Sequence, residues 1–264
     1  MQVKRSLAVA AVLVTVAAST ATGAVKTKEI EYKQAGSGTP LKGMIAWDDA
    51  KTGKRPGVLV VHEWWGMNDR MRDVARHLAE AGYVGLALDV YGEGKSTDQR
   101  SHAEAMMGEA MKDPAAIKAR FDAALSQLEQ DPHVDTTKIA AIGYCMGGAI
   151  VLNMARAGED LAAVVSFHGI LATQAPAQKG AIKGRVLALT GDADSFVPKE
   201  QVDGFRKEMA DAGVKADIVV YPGAKHAFTN PNAAKYGMPE LAYNATAAKQ
   251  SWDAMLKLFK EVFG

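Results

Sequence analysis

Residues 138–152 read KIAAIGYCMGGAIVL, and the fold is decided where this stretch changes its period. Ile139 to Ile142 form the short continuous apolar run of a buried parallel strand. From Met146 onward the residues suit a helix. Between the two stands Gly143-Tyr144-Cys145-Met146-Gly147-Gly148, a glycine–x–nucleophile–x–glycine pattern with cysteine at its centre. A turn this sharp strains the central residue, and glycines on either side remove side chains that would collide with it. The helix start then points free N–H groups at the sulfur, which favours a thiolate and any oxyanion beside it. Taken alone, Cys145 also reads as a buried structural thiol, because free cysteines are among the most buried residues.

The surrounding sequence repeats the strand-then-helix alternation. RPGVLVVHE (55–63) is a buried strand, and DRMRDVARHLAEAG (69–82) is a helix with Met71, Val74, Ala75 and Leu78 on one face and Gly82 as its stop. YVGLALDVYG (83–92) is the next strand. Residues 98–131 are mostly helical, interrupted at Asp113-Pro114. AAVVSFHG (162–169), GRVLALTGD (184–192) and ADIVVYPG (216–223) are strands, and KEQVDGFRKEMADAG (199–213) is a helix. An amphipathic helix over 240–263, with Leu241, Trp252, Met255, Leu256, Phe259 and Val262 on its apolar side, closes the chain. Upstream, residues 26–35 and 41–47 alternate as a hairpin around GSGTP. This order predicts one α/β unit over 25–264, a mostly parallel sheet with helices on both faces. In such sheets, active residues occupy loops at the carboxyl ends of strands.

Two such loops supply partners for the cysteine. One carries Asp192 and Asp194, and the other carries His226. Nucleophile, acid and histidine then follow one another in the chain order of an α/β hydrolase. Either aspartate could orient the imidazole on this reading. His226 would take the thiol proton and later activate water. His62 and His168 also end strands and are read as supporting or lining the cleft. Met106, Met107 and Met111 read as core filler, with a cap over an apolar acyl pocket as the alternative.

With these residues in place, the chain resembles the dienelactone hydrolase family of α/β hydrolases. The likeness covers nearly everything after residue 24 and rests on VLVVHEWWGMNDRMRDVARHLAEAGY, ALDVYG, IGYCMGG, GDADSFVP and YPGAKHAF. It implies an α/β-hydrolase fold and hydrolysis of an ester, lactone or thioester through an acyl-cysteine, without a cofactor. It assigns the nucleophile to Cys145, the base to His226 and the acid to Asp194. It implies that Glu63 bonds the resting thiol and that the backbone amides of Trp64 and Met146 hold the oxyanion. Lactone-cleaving members bind the substrate carboxylate with arginines, one of them four residues after the histidine. Here that position is Asn230, and no arginine follows Tyr91 directly. The fixed anion donors are therefore missing. Tyr91, His168 and Asn230 are expected around the pocket.

Composition bounds the alternatives. The chain has 264 residues, 48% of them hydrophobic and 23% charged, ordinary values for a globular protein. Lys4-Arg5, the apolar run of residues 7–19 and the small residues of 19–24 read as a secretory signal, with export to a bacterial periplasm or medium as the expectation. Without residues 1–24, 29 basic and 30 acidic residues remain. There is no basic block, so nucleic acid is not an expected partner. After signal cleavage no membrane anchor is expected, and a monomer acting on a small ester or lactone is. Cys145 is the only cysteine, which excludes an intramolecular disulfide and a multi-cysteine metal site. A non-catalytic binding protein on the same scaffold is the rival function, and a redox role, lacking a resolving thiol, ranks below it.

Overall fold

The computed structural model describes residues 25–264. The expected signal segment, 1–24, lies outside the described residues. Eight strands form one sheet: β1 (Val25–Lys33), β2 (Pro40–Asp48), β3 (Arg55–Val61), β4 (Val84–Leu88), β5 (Val134–Tyr144), β6 (Ala163–Phe167), β7 (Arg185–Gly191) and β8 (Ala216–Tyr221). Their spatial order is β1-β2-β4-β3-β5-β6-β7-β8. β1 and β2 form the expected hairpin, β2 meets β4 antiparallel, and every later pairing is parallel.

The period-two alternation of the strands divides the core. Leu59, Val61, Leu86, Leu88, Ile139 and Ala141 face one way. They pack against α3 (Pro114–Glu129), α4 (Met146–Arg156) and α5 (Lys199–Asp211) through residues such as Phe121, Ile150 and Phe205. Val58, Val60, Ala87, Ala140 and Ile142 face the other way, onto α1 (Asp69–Glu80) and α6 (Ala245–Phe263). Both faces of the central strands are therefore covered, which is why these segments read as unbroken apolar runs.

Helix boundaries follow capping chemistry. Asn68 accepts the Met71 amide and opens α1. The break at Asp113-Pro114 separates α2 (Arg100–Met111) from α3, with Asp113 accepting the Ala116 amide at 2.9 Å and proline at the first helical position. One expectation needs correcting. The last helix starts at Ala245, not 240, because Asn244 caps it by accepting the Ala247 amide at 3.0 Å. Its core side is Met255, Leu258, Phe259 and Phe263, whereas Trp252, Leu256 and Val262 are only partly buried. No described helix is long and apolar enough to cross a membrane.

Candidate active site

The carboxyl ends of β3, β5, β6, β7 and β8 converge on Cys145. Its backbone is left-handed, with φ 54° and ψ −117°, a conformation that costs a non-glycine residue energy. The neighbouring glycines are required by space. A Cβ on Gly143 would stand 2.0 Å from the Gly147 carbonyl oxygen, and one on Gly147 would stand 2.3 Å from that of Val61. The Cys145 amide donates to Phe167 O at 3.0 Å and to His168 Nδ1 at 3.2 Å. His168, at φ 42°, and Ala227, at φ 57°, are strained in the same sense.

His226 is buried, and its Nδ1 lies 2.8 Å from Asp194 Oδ2. Cys145 lines the same cavity as this ring, and its charge acts on it. Asp194 Oδ1 accepts the Phe196 amide at 2.9 Å, and Phe196 packs edge-on against His226. Burial alone would lower the His226 pKa. The charge of Cys145 and the bond to Asp194 outweigh it and push it up to about 10. The ring thus holds its proton well above the ordinary imidazole range. Asp192 takes no part; its exposed carboxylate accepts the Gly223 amide at 2.6 Å and ties two loops together. The choice left open between the two aspartates falls to Asp194.

The other expected residues are distributed differently. Glu63, 1% exposed, accepts from Asn230 Nδ2 at 3.0 Å through Oε2, while Oε1 has no hydrogen-bond partner among the described residues. The expected bond from Glu63 to the resting thiol is therefore absent. Asn230 takes the carboxylate instead. Tyr91 Oη donates to the Trp64 carbonyl at 2.8 Å and lies 3.4 Å from Met146 Sδ. It braces the two residues whose amides flank the elbow, and those amides make no hydrogen bond to other described residues. Burial and the Cys145 charge push the Tyr91 phenol up, so it stays a donor.

His168 is wholly buried, and its Nδ1 accepts the nucleophile's own amide. Its Nε2 therefore carries the proton toward Thr229 Oγ1 at 2.8 Å, an oxygen that also accepts from Arg70 Nη2 at 2.8 Å. Burial, the His226 charge and Arg70 hold His168 well below the ordinary imidazole range. His62 is equally buried. It accepts the Val90 amide and joins the ends of β3 and β4.

A cavity of about 300 Å³ opens over Cys145 and His226. Trp64, Met107, Ile170, Phe196, Met238 and Leu241 give it an apolar wall. Tyr91, His168 and Asn230, expected around the pocket, are not among its lining residues. Tyr91 lines the neighbouring cavity instead, and the three bond the Trp64 carbonyl, the Cys145 amide and the Glu63 carboxylate. Of the three methionines, Met107 lines this cavity, Met106 lines a neighbouring one and Met111 is exposed. Sequence reading did not place Arg100, Glu104, Ile170, Phe196, Met238 or Leu241 on this cavity. Only the i,i+4 spacing of Arg100 and Glu104 was legible, and it does not reveal which way the pair faces.

Residues 41–263 match the dienelactone hydrolase family. The chain belongs to that family. It is a carboxylic ester hydrolase with an α/β-hydrolase fold. The solved structure named m3DLH is 40% identical, with a TM-score of 0.87, covering 92% of this chain and 100% of that one. A dienelactone hydrolase-like promiscuous phosphotriesterase, P91, from metagenomic libraries is 37% identical, with a TM-score of 0.85 and the same coverage. A protein of Escherichia coli K12, provisionally named a carboxymethylenebutenolidase, is 32% identical over 222 residues, 80% of this chain and 79% of its own.

Within this dienelactone hydrolase family member, the arrangement has the parts that acyl transfer demands. A sulfur stands at a helix start, an imidazole beside it is oriented by a buried carboxylate, and two free amides sit near the sulfur.

Proposed function

We propose that this protein hydrolyses an ester or lactone through an acyl-cysteine formed on Cys145. The observation that carries this reading is the His226 ring held between Cys145 and buried Asp194 at a strained elbow.

In acylation the Cys145 thiolate attacks the carbonyl carbon, and the carbonyl π electrons move to oxygen. The amides of Trp64 and Met146 hold that oxyanion. As the tetrahedral centre collapses, the bond to the leaving oxygen breaks, and the second ring nitrogen of His226 delivers its proton to the departing alkoxide. A water molecule then attacks the thioester while His226 takes its proton. Collapse releases the carboxylic acid and restores the thiolate–imidazolium pair. Asp194 keeps Nδ1 protonated throughout, which fixes the tautomer and supports the positive charge. Tyr91 and His168 act on backbone, not on substrate.

Cys145→Ala is expected to abolish ester turnover while retaining the fold. Intact mass after rapid mixing of the native protein with an activated ester is expected to show one acyl adduct on Cys145. Full esterase activity in Cys145→Ala would sink the reading. Residues 1–24 carry the charge, apolar run and small residues of an export signal, so the working enzyme is read as periplasmic or secreted. N-terminal sequencing of protein from cell fractions checks this, with a start after Ala21 or Ala24 expected and an intact Met1 in the cytosol against it.

A further inference from the structure

Among the described residues, only two charged ones line the cavity beyond the reactive pair, Arg100 and Glu104, one turn apart on α2. Arg100 Nε donates to Glu104 Oε1 at 2.7 Å, and both side chains are about half exposed, which places them at the rim. Glu240 stands between the lining residues Met238 and Leu241, and its charge also reaches Arg100. Glu240 Oε2 is buried and has no hydrogen-bond partner among the described residues. The one guanidinium at the entrance is thus answered by two carboxylates, and the three groups together carry one negative charge. Below them the wall is aromatic and aliphatic.

We infer that the cavity selects neutral esters of short or medium apolar acids, and that Glu104 keeps substrates with a carboxylate of their own from using Arg100. This rests on Cys145 being the nucleophile. A carboxylate-bearing acyl chain would have to displace Glu104 from the guanidinium or sit unpaired against Trp64, Ile170 and Leu241. The first is opposed by Glu240, and the second leaves a charge without a partner in an apolar wall. A volume of about 300 Å³ stands at the small end of ligand pockets and sets the length limit.

The test is a matched pair of activated esters, nitrophenyl hydrogen succinate and nitrophenyl methyl succinate, with nitrophenyl butyrate, hexanoate and laurate beside them. In the native protein, kcat/KM for the methyl succinate is expected to exceed that for the anion by about tenfold or more. Butyrate and hexanoate are expected to exceed laurate. Added salt should narrow the neutral-to-anion ratio by screening the rim. Glu104→Gln should narrow it by about fivefold or more by freeing Arg100. Adding Arg100→Gln should remove that gain, and circular dichroism checks that both variants are folded. A native protein that cleaves the anion as well as the neutral ester, or a ratio unmoved by Glu104→Gln, overturns this inference while leaving the nucleophile reading intact. No turnover of any ester and no acyl adduct on Cys145 overturns both.

Discussion

The charge of Cys145 and the bond to Asp194 raise the His226 ring, and Asp194 decides which nitrogen of the ring is left for chemistry. Asp194→Asn is expected to lower kcat/KM by about 10²- to 10⁴-fold, because the amide offers no fixed negative charge to the imidazolium and tolerates the wrong tautomer. Stopped-flow acylation with a nitrophenyl ester measures it. The pH dependence has a definite sign. His226 titrates near 10 in the folded protein, against an ordinary value of 6.5. The folded state therefore holds the proton more tightly than the unfolded chain does. Its stabilisation is complete below about pH 6.5 and is withdrawn as pH rises toward 10. Activity that needs the imidazolium is expected to fall along the same alkaline limb. Asp194→Asn should move that limb to lower pH, since the Asp194 bond and charge help to raise it.

The elbow works as an element because β5 and α4 meet with no spare volume. Gly147→Ala would drive a methyl group against the Val61 and His62 carbonyl oxygens, 2.3 and 2.7 Å away. The expected cost is about 1–3 kcal/mol, read from urea denaturation, together with lost activity, since Glu63 and Trp64 follow directly from that strand end. Gly204 in α5 is the control. A Cβ there meets nothing within 4 Å, so Gly204→Ala is expected to stabilise by about 0.5–1 kcal/mol. This contrast also marks what a sequence can disclose. The elbow, the strand ends bearing Asp194 and His226, and the α1 face of Met71, Val74, Ala75 and Leu78 were legible, because period and chain order fix them. The start of α6 was misread, because Asn244 is one polar residue among several and only its bond to Ala247 marks the boundary. Asn230 was expected in the pocket and is not among its lining residues; its amide bonds Glu63 instead. Where a loop side chain turns depends on partners distant in sequence, and no period records that.

Across the whole molecule, one buried ion pair joins the helices beside the sheet. Arg156 at the end of α4 meets both oxygens of Glu208 on α5 at 2.8 Å, and also donates to Leu171 O and Asn153 Oδ1. Burial tends to raise the Glu208 pKa, but the Arg156 hydrogen bond, the Ala177 amide and the Arg156 charge overcome it and leave the carboxyl lowered. Its stabilisation is therefore present above the unfolded carboxylate range and is lost as pH falls below it. Glu208→Gln leaves Arg156 buried without its counter-charge. The expected loss is about 3–5 kcal/mol at neutral pH, with a flatter acid limb in thermal melts. The least relaxed backbone in the molecule is elsewhere. Of its four described non-glycine residues with positive φ, three are Cys145, His168 and Ala227, all beside the reactive sulfur. Glycine would sit more easily at each of them. A lineage selected only for durability would drift toward glycine there and surrender the thiol and the ring that holds its amide. Endurance and turnover make opposite demands on the same few residues, so the discomfort of that backbone is itself a record of selection for chemistry.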